Sequence, residues 1–484
     1  MEAEPVNERR RADMMAGLPA PWPADDLREL IRRRHLERAE TLVVVDDDPT
    51  GCQTVADVTL LLEWSTESLT AELKAGPTVL YVLTNTRAGP AEEAYRVNRE
   101  LAGNLRAAAA KAGRDFSVIS RSDSTLRGHF PVETDGLAAG LGPFAAILLA
   151  PYFGEGGRLT INDVHYIQRG DELVPAATTE FAQDPVFGYS SSNLRDWAAE
   201  KSGGRWQAAD VRSLSLDDIR LGGPEHVARH LASCSNGVPV VINAACDRDL
   251  EVVAWAMLQP ELRHPSLLPR TAASFVKLRA GLPDRPLLSP NELGLDPSIS
   301  KHGGLVVVGS YVPQTTAQLE RLLVRPEVRG IELDVGRLLD RRRPEESAAP
   351  LAEAAAEAMS AGQVAVIFTS RPFAASAGRE AALEAGRLIS QTLCGVLHAL
   401  TLRPAYIVAK GGITSHDLAQ KGLGCKRATV LGQITPGVPV WRLDQAERFE
   451  NLPYVVFPGN VGLPETLSEL VGRLTGAFPD QRRN

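Results

Sequence analysis

The sequence predicts an α/β protein: two α/β domains with mainly parallel sheets facing a cleft. Three observations predict it. The 484 residues, 44% hydrophobic and 23% charged, supply enough core for two or three domains of about 100–200 residues each. Short runs of Val, Ile and Leu alternate with longer segments of helical spacing. Several of those runs are apolar at successive positions, as in a parallel strand buried on both faces, and they end in polar or glycine-rich turns.

The elements follow in order. Leu27, Leu30, Ile31 and Leu36 share one face of a helix over 25–38, so residues 1–40 read as a helical lead-in. A first series of strands is predicted at 41–46, 78–84, 116–120, 145–150 and 238–243, within a domain spanning 41–285. Between them, 90–112 and 131–141 read as helices opened by proline in the first turn. The stretch 152–215 is polar, carries Gly154, Gly156 and Gly157, and lacks a clean period, so it reads as an irregular insertion beside the first domain's site. Residues 286–304, rich in Pro, Gly, Ser and Asn, read as a linker. A second domain over 305–484 is predicted from strands at 305–308, 331–335, 364–369, 405–409 and 454–457, with helices at 349–360 and 378–400.

Composition excludes several function classes. Asp plus Glu (60) exceed Lys plus Arg (52), for a net charge of -8, the wrong sign for a protein that neutralises phosphate backbones. Five cysteines without a C-x-x-C pair indicate neither a disulfide framework nor a zinc ribbon. No signal-peptide h-region opens the chain and no run of about 18 apolar residues occurs. The expectation is a cytoplasmic protein with no nucleic-acid or membrane partner; a homo-oligomer is compatible with it. A few arginines can still hold a small anion in an acidic protein.

Chemistry concentrates in the turns after strands. Val45-Asp46-Asp47-Asp48-Pro49-Thr50-Gly51 puts three carboxylates at one strand end, which requires a compensating cation, proton or donor set. Ser120-Arg121-Ser122-Asp123-Ser124-Thr125-Leu126-Arg127-Gly128-His129 combines two arginines, an acid and hydroxyls, and Leu83-Thr84-Asn85-Thr86-Arg87 has the same character. Arginine forks match carboxylates and phosphates, and hydroxyls complement polyols. Each turn alone also suits a solvated polar loop; three after strands of one sheet can share a crevice. In the second domain Ala409-Lys410-Gly411-Gly412-Ile413-Thr414-Ser415-His416, Gly309-Ser310 and Pro458-Gly459-Asn460-Val461-Gly462 are placed alike. Paired glycines before a helix expose N–H groups that favour an anion. Neither a Walker A loop nor a dinucleotide G-x-G-x-x-G is present. His226 and His230 lack the acidic partner of an H-E-x-x-H metal motif and read as surface-helix residues.

This set of motifs resembles the four-carbon acid sugar kinase family, which includes D-threonate, D-erythronate and 3-oxo-tetronate kinases. Asp47 to Gly51 fit its Asp-Asp-x-Thr-Gly signature, and Asp123 to Gly128 fit Asp-Ser-Thr-Leu-Arg-Gly. Pro151-Tyr152-Phe153, Gly156-Gly157-Arg158, Val164-His165-Tyr166, Arg270 to Ser274, Gly309-Ser310 with Thr315 and Gln318, Gly411-Gly412 with Thr414-Ser415, and Pro436 to Pro439 also match. Three positions depart from the pattern: Gly51-Cys52-Gln53-Thr54 lacks an acid, Ile413 stands for a Glu, and Val312 stands for a frequent Ser.

The resemblance implies an acid-sugar-binding first domain, an ATP-binding second domain, and ATP-dependent phosphorylation of a hydroxyl, the terminal 4-OH, on a four-carbon acid sugar. Asp123 or Asp47 would accept the hydroxyl proton, with Asp48 steering. Arg87, Arg121 and Arg127 would hold the substrate carboxylate, and Thr50, Asn85, Ser124 and His165 would read its hydroxyls. Gly411, Gly412, Ile413, Thr414 and Ser415 would donate to ATP phosphates, while Ser310 and Gly459 would line the nucleotide. Mg²⁺ would come with ATP, without a protein metal site. A non-catalytic sensor of the same ligands, and a dehydrogenase or aldolase acting on related metabolites, are the alternatives. The latter lacks a dinucleotide fingerprint.

Overall fold

The structure, a computed structural model, describes residues 9–24, 26–259, 262, 267–295, 302–371 and 379–476. Residues 1–8 and 25 of the lead-in, 296–301 of the linker, Gly378 at the head of an expected helix and 477–484 of the second domain lie outside the described residues. The chain divides into two compact units, Met1–Gly51 with Glu63–Asp284, and Cys52–Leu62 with Arg285–Asn484.

In the first unit a parallel sheet runs in the order Arg212–Leu214, Val238–Ile242, Ala146–Ala150, Leu267–Thr271, Phe116–Arg121, Thr41–Asp46, Val79–Leu83. Every residue of Thr41–Asp46, Val79–Leu83 and Ala146–Ala150 is buried, as strands covered on both faces require. Helix Ala91–Ala112 turns Ala94, Val97, Leu101, Leu105 and Ala108 inward at helical spacing. Register decides where the site forms. Asp46 lies opposite Leu83 on one side and Arg121 on the other, and Arg121 lies opposite Thr271. The turns after these strands therefore leave the sheet side by side, at its carboxyl edge.

The stretch 152–215, expected to be irregular, is ordered. Arg158–Ile161, Val164–Arg169 and Glu172–Pro175 form an antiparallel meander, with Arg9–Arg10 paired at its edge. Helix Leu194–Lys201 follows and packs Leu194 and Trp197 into a core with Phe130, Leu149, Ile167 and Val241. Strands this short give a period too few residues to register. The available signal was Asn162-Asp163, both at positive φ, the two-residue turn of a hairpin.

In the second unit the strand order is Val58–Leu61, Arg427–Thr435, Val438–Gln445, Leu452–Phe457, Ile407–Lys410, Leu305–Val308, Val364–Thr369, Val328–Leu333. The last five are mutually parallel. The first three add antiparallel pairs, because Pro436-Gly437, with Gly437 at φ 76, closes a tight hairpin that the sequence reading did not contain. Val58–Leu61 pairs with residues 427–430, so the segment just after the triple-aspartate turn belongs to the second unit. The block expected over 41–285 thus contains residues 52–62, which fall in the second unit. Val308 lies opposite Lys410 and Phe368, and Lys410 opposite Phe457, which again sets the following turns side by side. Among the described residues no helix is long and apolar enough to cross a membrane.

Candidate active site

Asp46 ends its strand fully buried, with its carboxylate 3.1 Å from Arg121 Nη1. The turn closes on this ion pair only because residue 51 is glycine: a Cβ there would lie 2.0 Å from Asp46 Oδ2 and 2.3 Å from Arg121 Nη1. Burial drives the Asp46 carboxyl up to about 7 against the pull of Arg121, and Asp47 and Asp48 push it the same way. Asp47 is 3% exposed. It accepts from Arg87 Nε at 3.2 Å and from Arg87 Nη2, and from Ser122 Oγ at 2.7 Å. Asp48 lies 3.4 Å from Arg87 Nη1 and accepts from the Thr50 amide at 2.8 Å and the Thr50 hydroxyl. Burial opposes its ionisation, but Arg87 and Arg121 outweigh it and hold Asp48 below the usual carboxylate range. Arg87 reaches both acids because Asn85, at φ 53, bends the chain into the short helix Thr86–Ala88. Asparagine tolerates that left-handed conformation.

The neighbouring turn carries Asp123. Its Oδ2 accepts from Arg127 Nε at 2.7 Å and from the Thr125 hydroxyl, while Oδ1 has no protein donor among the described residues. Burial works against the charge, yet Arg127 and Arg87 hold Asp123 well below the usual range. His165 lies beneath this turn. Its Nε2 donates to the Ser124 carbonyl at 2.7 Å, and its Nδ1 accepts from Thr160 Oγ1 at 3.0 Å. Burial pushes the imidazole down to about 4, so it is neutral, with both nitrogens occupied. It anchors the Asp123 turn and has no nitrogen to spare for a ligand. Arg121, expected to grip a ligand carboxylate, is committed to Asp46. Arg127, at 27% exposure against 5% for Arg121, is the one better placed to do so.

Three contributors were missed from sequence. Ser122, inside a recognised motif, joins Asp47 to Arg270, whose Nη2 donates to Ser122 Oγ at 3.0 Å. The Arg270 guanidinium lies 5.3 Å from the Phe130 ring centre and 5.5 Å from that of Trp197. Its motif was visible, its role was not. Glu133 accepts from Thr86 Oγ1 at 2.5 Å, and burial, helped by Asp47, lifts it to about 7. An acid in the first turn of a helix carries no sequence signal for that environment.

The second unit gathers the glycine turns. A Cβ on Gly309 would lie 2.2 Å from Thr414 Oγ1, so the 309–310 turn closes directly on the Gly411–Ser415 loop. Thr315 Oγ1 lies 3.0 Å from the Gly459 carbonyl and 3.2 Å from Ser310 Oγ, and the Gln318 amide donates to the Val461 and Leu463 carbonyls, both at 2.9 Å. Gly412 and Ile413 open the helix Gly412–Asp417. The Ser415 hydroxyl lies 2.9 Å from the Ala409 carbonyl and 2.8 Å from that of Gly411. Two amides expected to donate to phosphates are spent inside the protein, Gly411 on the Phe457 carbonyl and Ser415 on that of Gly411, both at 2.8 Å, which leaves the loop the amides of Gly412, Ile413 and Thr414 at the open first turn of the helix. Lys410 went unassigned in the sequence reading. Its Nζ donates to the Pro458 carbonyl at 2.6 Å and the Gly459 carbonyl at 3.2 Å, 3.9 Å from the Phe457 ring centre. Burial lowers it to about 7.

With this geometry in hand, comparison with known proteins is specific. Residues 42–279 match a family model described as a sugar-binding N-terminal domain, and residues 305–467 match a nucleotide-binding C-terminal domain. The chain is 25% identical over 364 residues to D-threonate kinase of Salmonella typhimurium strain LT2, covering 73% of this chain and 79% of that protein. It is 28% identical over 178 residues to D-erythronate kinase of Heliobacterium modesticaldum, covering 36% and 37%. Two solved structures share the fold. One, from Salmonella typhimurium LT2 and provisionally described as a tRNA synthase, has a TM-score of 0.64 at 18% identity, covering 91% of this chain and 100% of that one. The other, Haemophilus influenzae protein HI1011, has a TM-score of 0.58 at 17% identity, covering 89% and 100%.

Proposed function

Since this chain belongs to the four-carbon acid sugar kinase family, we propose that it transfers a phosphoryl group from ATP to the terminal 4-OH of a small acid such as threonate, erythronate or 3-oxo-tetronate. The observation that carries this reading is the Asp123 turn: an ionised carboxylate with an unbonded Oδ1, beside an arginine exposed enough to meet a carboxylate ligand. In this reading residues 41–285 bind the acid and 305–484 bind ATP. Asp123 takes the hydroxyl proton through Oδ1, and Arg127 holds the substrate carboxylate. Asp47, at 3% exposure against 12% for Asp123, is the second candidate for the base. Asp48 steers, while Arg87 holds Asp47 and Asp48 in place and Arg121 holds Asp46. Thr50, Asn85 and Ser124 are assigned to the hydroxyls, and His165 fixes the turn that presents Ser124.

On the nucleotide side, the amides of Gly412, Ile413 and Thr414 face the phosphates, with Ser310 and Gly459 along the nucleotide. Phosphoryl transfer asks mainly for positioning and charge stabilisation. Among the described residues no cluster of three or more His, Cys, Asp or Glu side chains forms a metal cage. Mg²⁺ would come with ATP, held by phosphate oxygens and water, and would supply charge neutralisation on the transferring group. The test is an ADP-release assay with ATP, Mg²⁺ and a panel of four-carbon acids. Turnover with at least one acid is expected. No product, while a known kinase of the family phosphorylates its own acid under the same conditions, would overturn the reading; calorimetric binding without turnover would support a sensor instead.

A further inference from the structure

Arg371 follows the Val364–Thr369 strand, which pairs in parallel with Leu305–Val308 so that Phe368 lies opposite Val308. The turn carrying Arg371 thus leaves the sheet beside Gly309 and Ser310, and Arg371 Nη2 donates to the Ser310 carbonyl at 2.7 Å. No other bond to it is found among the described residues. Its Nε and Nη1 are shielded from solvent and without acceptors, and burial acts on the cation with no carboxylate to offset it. Arg87, Arg121 and Arg220 contrast with this, being spent on Asp47 and Asp48, on Asp46, and on Asp249; among the described residues Arg158, Arg270 and Arg279 also lack a paired carboxylate, but each leaves only Nε shielded and without an acceptor. Buried N–H groups without acceptors are rare, because each has lost its water and gained nothing. Nε and Nη1 lie on different edges of the guanidinium, so each can donate to a phosphate oxygen, one of them as a fork with the second hydrogen of Nη2. The surrounding loops also leave large apolar side chains in solvent, Tyr311 at 57%, Ile413 at 58% and Leu463 at 71% exposure, so the anion position adjoins surface that an aromatic base can cover.

We propose that Arg371 grips a phosphate of the bound nucleotide, with the Ser310 carbonyl fixing the orientation of its fork. This rests on the reading that the second unit takes ATP, and adds to it the cation that the glycine loops do not supply. The test is binding of ADP and of adenosine to the full-length protein and to its Arg371→Gln and Arg371→Lys forms, by calorimetry and ligand-observed NMR, with thermal unfolding alongside. Arg371→Gln should weaken ADP roughly 10- to 100-fold, the loss expected for one charge-assisted hydrogen-bonded contact. Arg371→Lys should lose less, and adenosine should bind all three alike. Unchanged ADP affinity in Arg371→Gln overturns the proposal, and so does equal weakening of ADP and adenosine, which marks a prop for the 309–310 turn. A folded wild-type protein that binds no ADP overturns the nucleotide reading itself, and this inference with it.

Discussion

At the scale of single residues, the acids of the first unit differ in what holds them, and that separates their expected phenotypes. Asp123 keeps one oxygen unbonded, whereas Asp47 receives Arg87 and Ser122 together. Asp123→Asn should therefore lower kcat by roughly 10²- to 10⁴-fold, the usual span for a general base, with thermal unfolding nearly unchanged. Asp47→Asn should lower both, because Arg87 loses one of its two counter-charges while Asp48 stays 3.4 Å away, at a cost below the roughly 3–5 kcal/mol of a fully broken buried pair. Steady-state kinetics and melting curves on both variants check this; full activity in Asp123→Asn with none in Asp47→Asn reassigns the base to Asp47. Asp46 makes a pH prediction. Its carboxyl is raised from 3.8 to about 7 by burial, so the folded state binds more protons than the unfolded one between those values. Stability from this group is complete below about pH 4, falls as pH rises, and is gone above about 7. Urea unfolding of wild type and Asp46→Asn at pH 5, 6 and 7.5 should show the wild type losing ground across that window. Parallel curves would refute it.

At the scale of elements, the site is a property of strand register. Asp47, Arg87 and Asp123 come from turns after three different strands and Arg270 from the last residues of a fourth, and they converge because those strands are neighbours whose ends are aligned. This explains what the sequence displayed and what it hid. Triple-aspartate and Asp-Ser-Thr-Leu-Arg-Gly turns are contiguous, so their chemistry was visible as a string of residues. Arg270 meets Ser122 across 148 positions, a pairing that only the sheet order creates, and Glu133 acquires its character from burial alone. Lys410 belongs to the same class. It joins the end of one strand to the loop after its neighbour, and it is buried on the Phe457 ring. Lys410→Met keeps the length and removes the donor, leaving the Pro458 carbonyl unpaired and the Gly459 carbonyl with Thr315 alone, a loss of about 1–3 kcal/mol. Because that loop lines the proposed nucleotide position, KM for ATP should rise roughly tenfold for each 1.4 kcal/mol carried into binding, with KM for the acid unchanged. Equal change in both constants would show that Lys410 serves general stability.

At the scale of the whole molecule, the two units are not consecutive stretches of chain. The first unit is left at Gly51, the second is visited over Cys52–Leu62, and the first is rejoined at Glu63. The family matches, 42–279 and 305–467, and the apolar periods alike read as two blocks in a row, because four residues of strand at Val58–Leu61 are too few to announce a change of unit. The structural consequence is concrete. Val58–Leu61 covers the edge of Arg427–Thr435, the Gln420 amide donates to the Leu62 carbonyl at 2.7 Å, and Trp441 Nε1 lies 3.2 Å from Cys52 Sγ. A fragment of residues 285–484 would lose all three. It would expose a long strand edge, the kind that recruits other chains, and leave a buried indole N–H without its partner. The expected outcome is aggregation or markedly lower unfolding temperature for 285–484 alone, and recovery when residues 52–62 are joined to its amino terminus through a flexible linker. Equal solubility and melting of the two fragments would mean that the crossing segment is dispensable, and that the second unit folds from the contiguous block after all.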